Sequence, residues 1–158
     1  MTDIKKAAAD TLEKRMGAVA TKMADDMKMT LSANGHIDTG SLIHSVSART
    51  EQKPDEVIAY IDITAESEEG AWYAEFIEFG TGKFNKSGDG RKTPWIWKPK
   101  PGSKYYKLDE NGEVVRYRTE GMKADPFIRP AVMKYIGELE EAVIHSYDLK
   151  RYRGMNHD

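Results

Sequence analysis

The chain is organised around one apolar stretch, residues 72–82, that ends in two glycines. Its sequence is W-Y-A-E-F-I-E-F-G-T-G, so two carboxylates, Glu75 and Glu78, lie inside an aromatic and aliphatic segment. Gly80 and Gly82 allow positive φ angles, which lets the chain turn sharply after the segment. The chain is acidic before this stretch and basic after it. The stretch therefore predicts a junction between two surfaces of opposite sign, not an active site.

The composition predicts a soluble chain with a modest core. Of its 158 residues, 39% are hydrophobic and 32% are charged, and the formal net charge is −2. These fractions indicate either a large surface relative to the core or surfaces that are buried only in an assembly. The absence of cysteine excludes disulfides, thiol nucleophiles and cysteine-based zinc sites. No apolar run is long enough for a signal peptide or a membrane span, so we expect a cytosolic protein.

The hydrophobic periodicity predicts an α+β fold in a single domain over residues 1–158. A small antiparallel sheet of β-hairpins is flanked by a long N-terminal helix and a C-terminal helix. In chain order we predict a helix over about residues 3–31, a sheet region over about 45–119, a second helix over about 126–148 and a polar tail over 150–158.

Two hairpins are expected in the sheet region. In the first, Pro54 and Asp55 supply the turn before a strand over residues 57–63. In the second, over residues 104–119, the Asn111-Gly112 pair predicts a two-residue type I′ turn. That register pairs Leu108 with Val115, Tyr106 with Tyr117, Lys107 with Arg116 and Tyr105 with Arg118. A short strand is also predicted over residues 95–97.

The charges divide along the chain. Residues 50–78 contain nine acidic residues and one lysine, whereas residues 83–118 contain ten basic and four acidic residues. Three interpretations follow: two solvated faces, an acidic part of one subunit against the basic part of the next, or phosphate binding by the basic part. The candidate basic surface, which would face another subunit or DNA, consists of Lys83, Lys86, Arg91, Lys92, Lys107, Arg116 and Arg118.

Two short motifs suggest chemistry and are mostly rejected. Residues 38–41, D-T-G-S, match the signature around the catalytic carboxylate of aspartic proteases, but they follow a helix stop instead of an apolar strand. A helix N-cap is the favoured interpretation. Residues 80–83 match part of a phosphate loop, yet Ile77 and Phe84 stand where Gly and Ser or Thr are needed. We predict no enzymatic activity, no metal site and no cofactor.

Three segments share an order and spacing with a known family. They are D-T-G-S-L at residues 38–42, Y-A-E-F-I-E-F-G-T at 73–81 and P-F-I-R-P-A at 126–131. Together they resemble the HK97 gp10-like family of tailed-phage head–tail joining or tail-completion proteins, in which Ile128 is usually Leu. The residues that carry the resemblance are Asp38, Thr39, Gly40, Leu42, Tyr73, Ala74, Glu78, Phe79, Gly80, Thr81, Pro126, Phe127, Arg129 and Pro130.

The resemblance implies a virion component at the head–tail junction, assembled in the bacterial cytoplasm. It implies a homo-oligomeric ring around the DNA channel and no catalysis. The implied partners are further copies of the chain, other phage connector and tail-tube or terminator proteins, and DNA that passes without sequence-specific binding. No membrane is involved.

Under this resemblance the motif residues are structural. Arg129 lies beside an apolar face, so we expect a carboxylate partner for it and propose Glu78. Two alternatives from other classes stay open: an aspartic-protease-like maturation enzyme that uses Asp38, and a nucleic-acid-binding module that uses the basic region over residues 83–118.

Overall fold

The computed structural model describes residues 3–36, 40–64 and 73–146. It confirms the α+β fold, with a long N-terminal helix, two small antiparallel two-stranded sheets and a C-terminal helix. In chain order the elements are α1 (Asp3–Ala33), α2 (Ser41–Ser45), β1 (Val46–Gln52), β2 (Val57–Ile63), α3 (Tyr73–Phe79), a 3-10 turn (Gly82–Phe84), β3 (Trp95–Trp97), β4 (Tyr117–Thr119) and α4 (Ile128–Ser146). The predicted helices and the strand over residues 57–63 are present, whereas the polar tail lies outside the described residues.

The chain divides into two compact units. The first contains α1 up to Met27, the β1–β2 hairpin up to Asp62 and α4 from Pro130. The second contains the described residues from Lys28 to Ser45 and from Ile63 to Arg129. The single domain over residues 1–158 stays a prediction.

In the first unit, α1 contributes an apolar stripe to the core. Leu12, Val19, Met23 and Met27 recur four or seven residues apart and are buried, because this spacing keeps them on one helical face. The methionines suit such a core, since their flexible side chains fill irregular gaps. Burying a side chain of this size stabilises the fold by about 1.5–3 kcal/mol.

Helices α1 and α4 run antiparallel within the first unit. Lys22 Nζ lies 2.5 Å from Glu138 Oε2, and one turn further along α1, Asp26 pairs with Lys134. Since the partner numbers fall on α4 as they rise on α1, the two helices have opposite directions. Both lysines are exposed, so these pairs align α1 with α4 but add little to the stability of the fold.

The second unit contains the short β3–β4 ribbon. Trp95 pairs with Thr119, Ile96 with Arg118 and Trp97 with Tyr117. On the inner face the rings of Trp97 and Tyr117 lie 5.7 Å apart between centroids. The core of this unit also includes Leu31, Leu42, Ala74, Ile77 and Phe127.

The predicted register of the second hairpin is wrong. Leu108 bridges Val114, not Val115, and the Asp109 N–H donates to Glu113 O at 2.8 Å. Asp109 Oδ1 also accepts hydrogen bonds from the N–H groups of Asn111 and Glu113, each at 2.9 Å. These bonds enclose a three-residue loop with Gly112 at φ 78°, in place of the two-residue turn.

The partner of β4 is also different from the prediction. Tyr117 and Arg118 belong to β4, which pairs with β3 and not with Tyr105 and Tyr106. The Tyr117 hydroxyl does reach Tyr105, because it donates to that residue's carbonyl oxygen at 3.1 Å. Among residues 45–64 and 73–119, the sheet region therefore forms two separate two-stranded sheets.

Within the described ranges, none of the helices has the length and apolar content needed to cross a membrane.

Candidate functional site

Helix α4 begins without a capping side chain of its own. The first four N–H groups of an α-helix have no partner inside the helix, and a Ser, Thr, Asp or Asn before the first turn usually accepts from them. Here Phe127 occupies that position, ahead of a helix that starts at Ile128. Its side chain cannot accept a hydrogen bond, so the acceptor must come from elsewhere in the fold.

Glu78 of α3 is that acceptor. Its Oε2 atom accepts hydrogen bonds from the N–H groups of Phe127 and Ile128, each at 2.9 Å, and Oε1 accepts from Arg129 N–H at 3.1 Å. The fourth position is Pro130, which has no N–H. One carboxylate and one proline thus account for all four unpaired positions at the start of α4.

The carboxylate of Glu78 is buried, with 7% of the residue exposed. Burying a charge is costly unless it is paired or hydrogen-bonded. Three charge-assisted hydrogen bonds and the positive end of the α4 dipole offset that cost. Glu75, the other carboxylate of α3, is exposed. Only one of the two acidic positions in the organising stretch therefore belongs to this site.

Helix α3 directs Glu78 inwards through its amphipathic pattern. Ala74 and Ile77 are buried beside it, so these positions fix which face of the helix points into the second unit. The aromatic residues of α3 lie elsewhere on the helix and are exposed: Tyr73, Phe76 and Phe79.

The Gly80-Thr81-Gly82 segment is held by backbone hydrogen bonds. Thr81 N–H donates to Met122 O at 2.8 Å, and Lys83 N–H donates to Glu120 O at 2.9 Å. Gly82 has φ 59°, and a Cβ atom there would lie 2.1 Å from Glu120 O. The N–H groups of Thr81 and Lys83 are therefore already used within the fold, and the segment serves backbone packing.

Asp125 makes a second set of hydrogen bonds just before α4. This residue was not predicted from the sequence as part of the site. Its N–H donates to Ile77 O at 2.8 Å. Its carboxylate accepts from the side-chain amide of Asn34 at 2.8 Å and lies 2.8 Å from His36 Nε2. The end of α1 is therefore tied to the segment that leads into α4.

The first motif is only partly described. Asp38 and Thr39 lie outside the described residues, so the proposed cap and the aspartic-protease alternative both stay predictions. Gly40 has φ 79° and its carbonyl accepts from His44 N–H at 3.0 Å. Leu42 is buried in α2.

The proposed pairing of Arg129 with Glu78 is correct in its residues and wrong in its atoms. The backbone N–H of Arg129 makes the contact, whereas its side chain is exposed. No ion pair joins the two side chains, both of which belong to the described part of the chain. The missing N-cap before α4 was the sequence signal that could have indicated the true arrangement.

All seven residues of the candidate basic surface are exposed. Lys83 pairs with Glu120, and its hydrogen bond and charge hold the pKa of that carboxyl below its usual range. Lys92 Nζ donates to Gly88 O at 2.8 Å. The Arg91 guanidinium lies 5.5 Å from the ring centroid of Trp95. These cations therefore do not converge on a single enclosed site.

Within residues 3–36, 40–64 and 73–146, no cluster of three or more His, Asp or Glu side chains could hold a metal ion. Comparison of the chain with protein-family models, curated proteins and solved structures gives no match. The resemblance to the phage family therefore rests on the motif residues alone.

Proposed function

We propose that this protein is a non-enzymatic assembly subunit at the head–tail junction of a tailed phage, where it acts in tail completion or head–tail joining. The observation that carries the proposal is the Glu78 cap. Two of the three segments that resemble the phage family meet there, because Glu78 belongs to the middle segment and Phe127 and Arg129 to the last. Their spacing in the family pattern would then maintain a fold, with no chemistry required.

Exposed apolar side chains support an assembly role. On α3, Tyr73 is 51% exposed, Phe76 38% and Phe79 39%. They lie three residues apart, which places them along one side of a helix. An exposed apolar patch on a small chain usually marks an interaction surface. We infer that other subunits cover this patch in a homo-oligomeric ring around the DNA channel.

The proposed partners follow from that location. They are further copies of the chain, other connector proteins and tail-tube or terminator proteins of the phage. DNA passes through the ring without sequence-specific binding. The protein would be assembled in the bacterial cytoplasm and retained in the virion, with no membrane and no cofactor.

The test is to disrupt the gene in the encoding phage genome and examine the lysates by electron microscopy. We expect filled heads beside unattached tails, and complementation by a plasmid copy. Immature or empty heads would instead favour the maturation enzyme, and complementation with Asp38→Ala would then test that alternative. Normal infectious particles would contradict the proposal.

A nucleic-acid-binding module is the second candidate, because all ten basic residues over residues 83–118 are exposed. It predicts binding to duplex DNA that weakens steeply with salt, since each phosphate contact releases counterions. The assembly proposal predicts little DNA binding by the free subunit. A salt titration with a fluorescent duplex separates the two.

A further inference from the structure

The outer face of the β3–β4 ribbon presents one aliphatic side chain among cations. Ile96 is directly opposite Arg118 and is 67% exposed. Lys98 and Arg116 are the next cations along the chain, one residue beyond the ends of β3 and β4 that pair Trp97 with Tyr117. All three cations are exposed, and within the described part of the chain none has an ion-pair partner. We call these four residues the ribbon face.

The inner side of the ribbon holds this face in place. Trp97 and Tyr117 are paired in register with their rings tilted by 31°, and the Tyr105 ring lies 5.9 Å from Trp97 and 6.5 Å from Tyr117. Edge-to-face aromatic contacts of this kind add stability beyond burial alone. The ribbon face therefore has a defined backbone and does not depend on a partner to form.

Helix α4 carries an aliphatic surface of the opposite charge, which we call the α4 stripe. Met133, Ile136, Glu140 and Ile144 recur every three or four residues, and both Met133 and Ile144 are 68% exposed. Gly137 lies among them, and a Cβ atom there would meet nothing within 4 Å. The stripe is thus aliphatic, has an acidic group inside it and leaves room for an inserted side chain.

Glu140 differs from Glu138 and Lys134 of the same helix. Glu138 pairs with Lys22, and Lys134 pairs with Asp26, so those charges already serve the contact with α1. Glu140 has no ion-pair partner among the described residues. An acidic side chain in an exposed apolar stripe suits a partner that brings both a cation and an aliphatic group.

We propose that the α4 stripe of one molecule packs against the ribbon face of another molecule, which rests on the homo-oligomer of the proposed function. Ile96 would insert beside Gly137, and Glu140 would pair with Arg118. The contact joins two different surfaces, so it is heterologous and repeats from copy to copy until it closes. Pairing of either surface with itself would bring like charges together.

The β1–β2 hairpin is a weaker acidic partner for the ribbon face. Arg49 Nε lies 2.7 Å from Asp62, and Lys53 Nζ lies 2.9 Å from Glu56. Tyr60 donates to Glu51 at 3.1 Å. The carboxylates of Asp62, Glu56 and Glu51 are already engaged, so these three offer less than Glu140 does.

Duplex DNA is the other polyanion that the cations could bind. Ile96 argues against it, because a phosphate backbone offers no apolar surface for a side chain at the centre of the cations. A protein partner satisfies the aliphatic group and the charges together. Binding of the ribbon face to DNA is therefore one of the outcomes that the test distinguishes.

The test is a charge exchange followed by native mass spectrometry of the purified full chain. Arg118→Glu and Glu140→Arg each place like charges at the contact, and we expect each to raise the concentration needed for assembly at least tenfold. Mixed in equal amounts, the two variants should assemble again, because every contact in an alternating oligomer then joins opposite charges. The matched controls, Lys14→Glu and Asp55→Arg, reverse exposed charges elsewhere and should assemble like the wild type.

Each other outcome is decisive. The contact would be overturned if both single variants formed the same oligomers as the wild type. It would also be overturned if mixing the two variants did not restore assembly. Either result would leave the ring proposal intact. An Arg118→Glu variant that assembles normally but loses binding to a fluorescent DNA duplex would assign the ribbon face to DNA instead.

Should the purified wild type stay monomeric, the same variants are tested by complementation of the gene-disrupted phage. The contact predicts that each single variant fails to restore plaques and that Arg118→Glu with Glu140→Arg in one chain restores them. Equal plating by all variants would overturn the contact. Normal plaques from the disrupted phage itself would overturn the proposed function.

Discussion

Glu78 and Arg129 meet through the backbone: Oε1 of Glu78 accepts a hydrogen bond of 3.1 Å from the N–H group of Arg129. The arginine side chain is exposed and takes no part. The acidic and the basic residue thus have independent roles, Glu78 as a helix cap and the Arg129 side chain on the surface.

Removal of the Glu78 carboxylate should be strongly destabilising. Glu78→Ala leaves three N–H groups at the start of α4 without their acceptor, and we expect the free energy of unfolding to fall by about 2–4 kcal/mol. Glu75→Ala is the matched control from the same helix, and its effect should stay within about 0.5 kcal/mol. Urea denaturation followed by circular dichroism measures both. Equal effects would contradict the capping role.

Arg129→Ala should be nearly neutral, because it keeps the N–H group that Glu78 binds. We expect a change in unfolding free energy within about 0.5 kcal/mol. A double-mutant cycle with Glu78→Ala should give a coupling energy below about 0.5 kcal/mol. A larger coupling would mean that the guanidinium group does interact with the carboxylate in solution.

Gly82 should tolerate alanine much less well than Gly112. Both have positive φ angles, 59° and 78°, but only Gly82 would bring a Cβ atom against backbone, at 2.1 Å from Glu120 O. Gly112→Ala should cost about 1–2 kcal/mol for its φ angle alone. Gly82→Ala adds a steric conflict and should cost more than about 3 kcal/mol. Guanidinium denaturation compares them, and similar losses would refute the close approach.

The Lys83–Glu120 pair should be visible as a pH effect. The hydrogen bond and charge of Lys83 lower the pKa of Glu120. A lowered pKa in the folded state adds stability above the unfolded pKa, and this stability is lost as pH falls through the folded pKa. Lys83→Met should therefore raise the pKa of Glu120 towards its ordinary value. Carbon-13 NMR titration measures the shift, and Lys86→Met, which should leave the pKa unchanged, is the control.

The long helices and the first hairpin could be predicted because their signals are local. The helix predicted over about residues 3–31 extends over Asp3–Ala33, and the strand predicted over residues 57–63 is β2. In both, the secondary structure is determined by side chains that lie a few positions apart in the sequence. Hydrophobic spacing and a turn at Pro54 therefore sufficed.

The predicted register of the second hairpin was wrong because one polar side chain, that of Asp109, changed the turn. Asn111-Gly112 favours a two-residue loop, but Asp109 accepts from two N–H groups of the loop and lengthens it by one residue. The pairing of β3 with β4 was also missed, since about twenty residues separate the strands and no local pattern relates them.

The candidate site was predicted in its residues but not in its bonds. The motifs singled out Glu78, Phe127 and Arg129, and all three meet. A carboxylate and a guanidinium suggested the commoner ion pair, because sequence does not show which backbone groups lack partners. The absence of a capping side chain before Ile128 is the evidence that would have favoured the observed arrangement.

The Glu78 cap also joins two segments that are synthesised at different times. Glu78 precedes Phe127 by 49 residues, so a ribosome releases the acceptor well before the helix that needs it. Forming the first turn is the costly step of helix formation, because several residues are fixed for a single hydrogen bond. The acceptor for the first turn of α4 is therefore already available when that turn is synthesised.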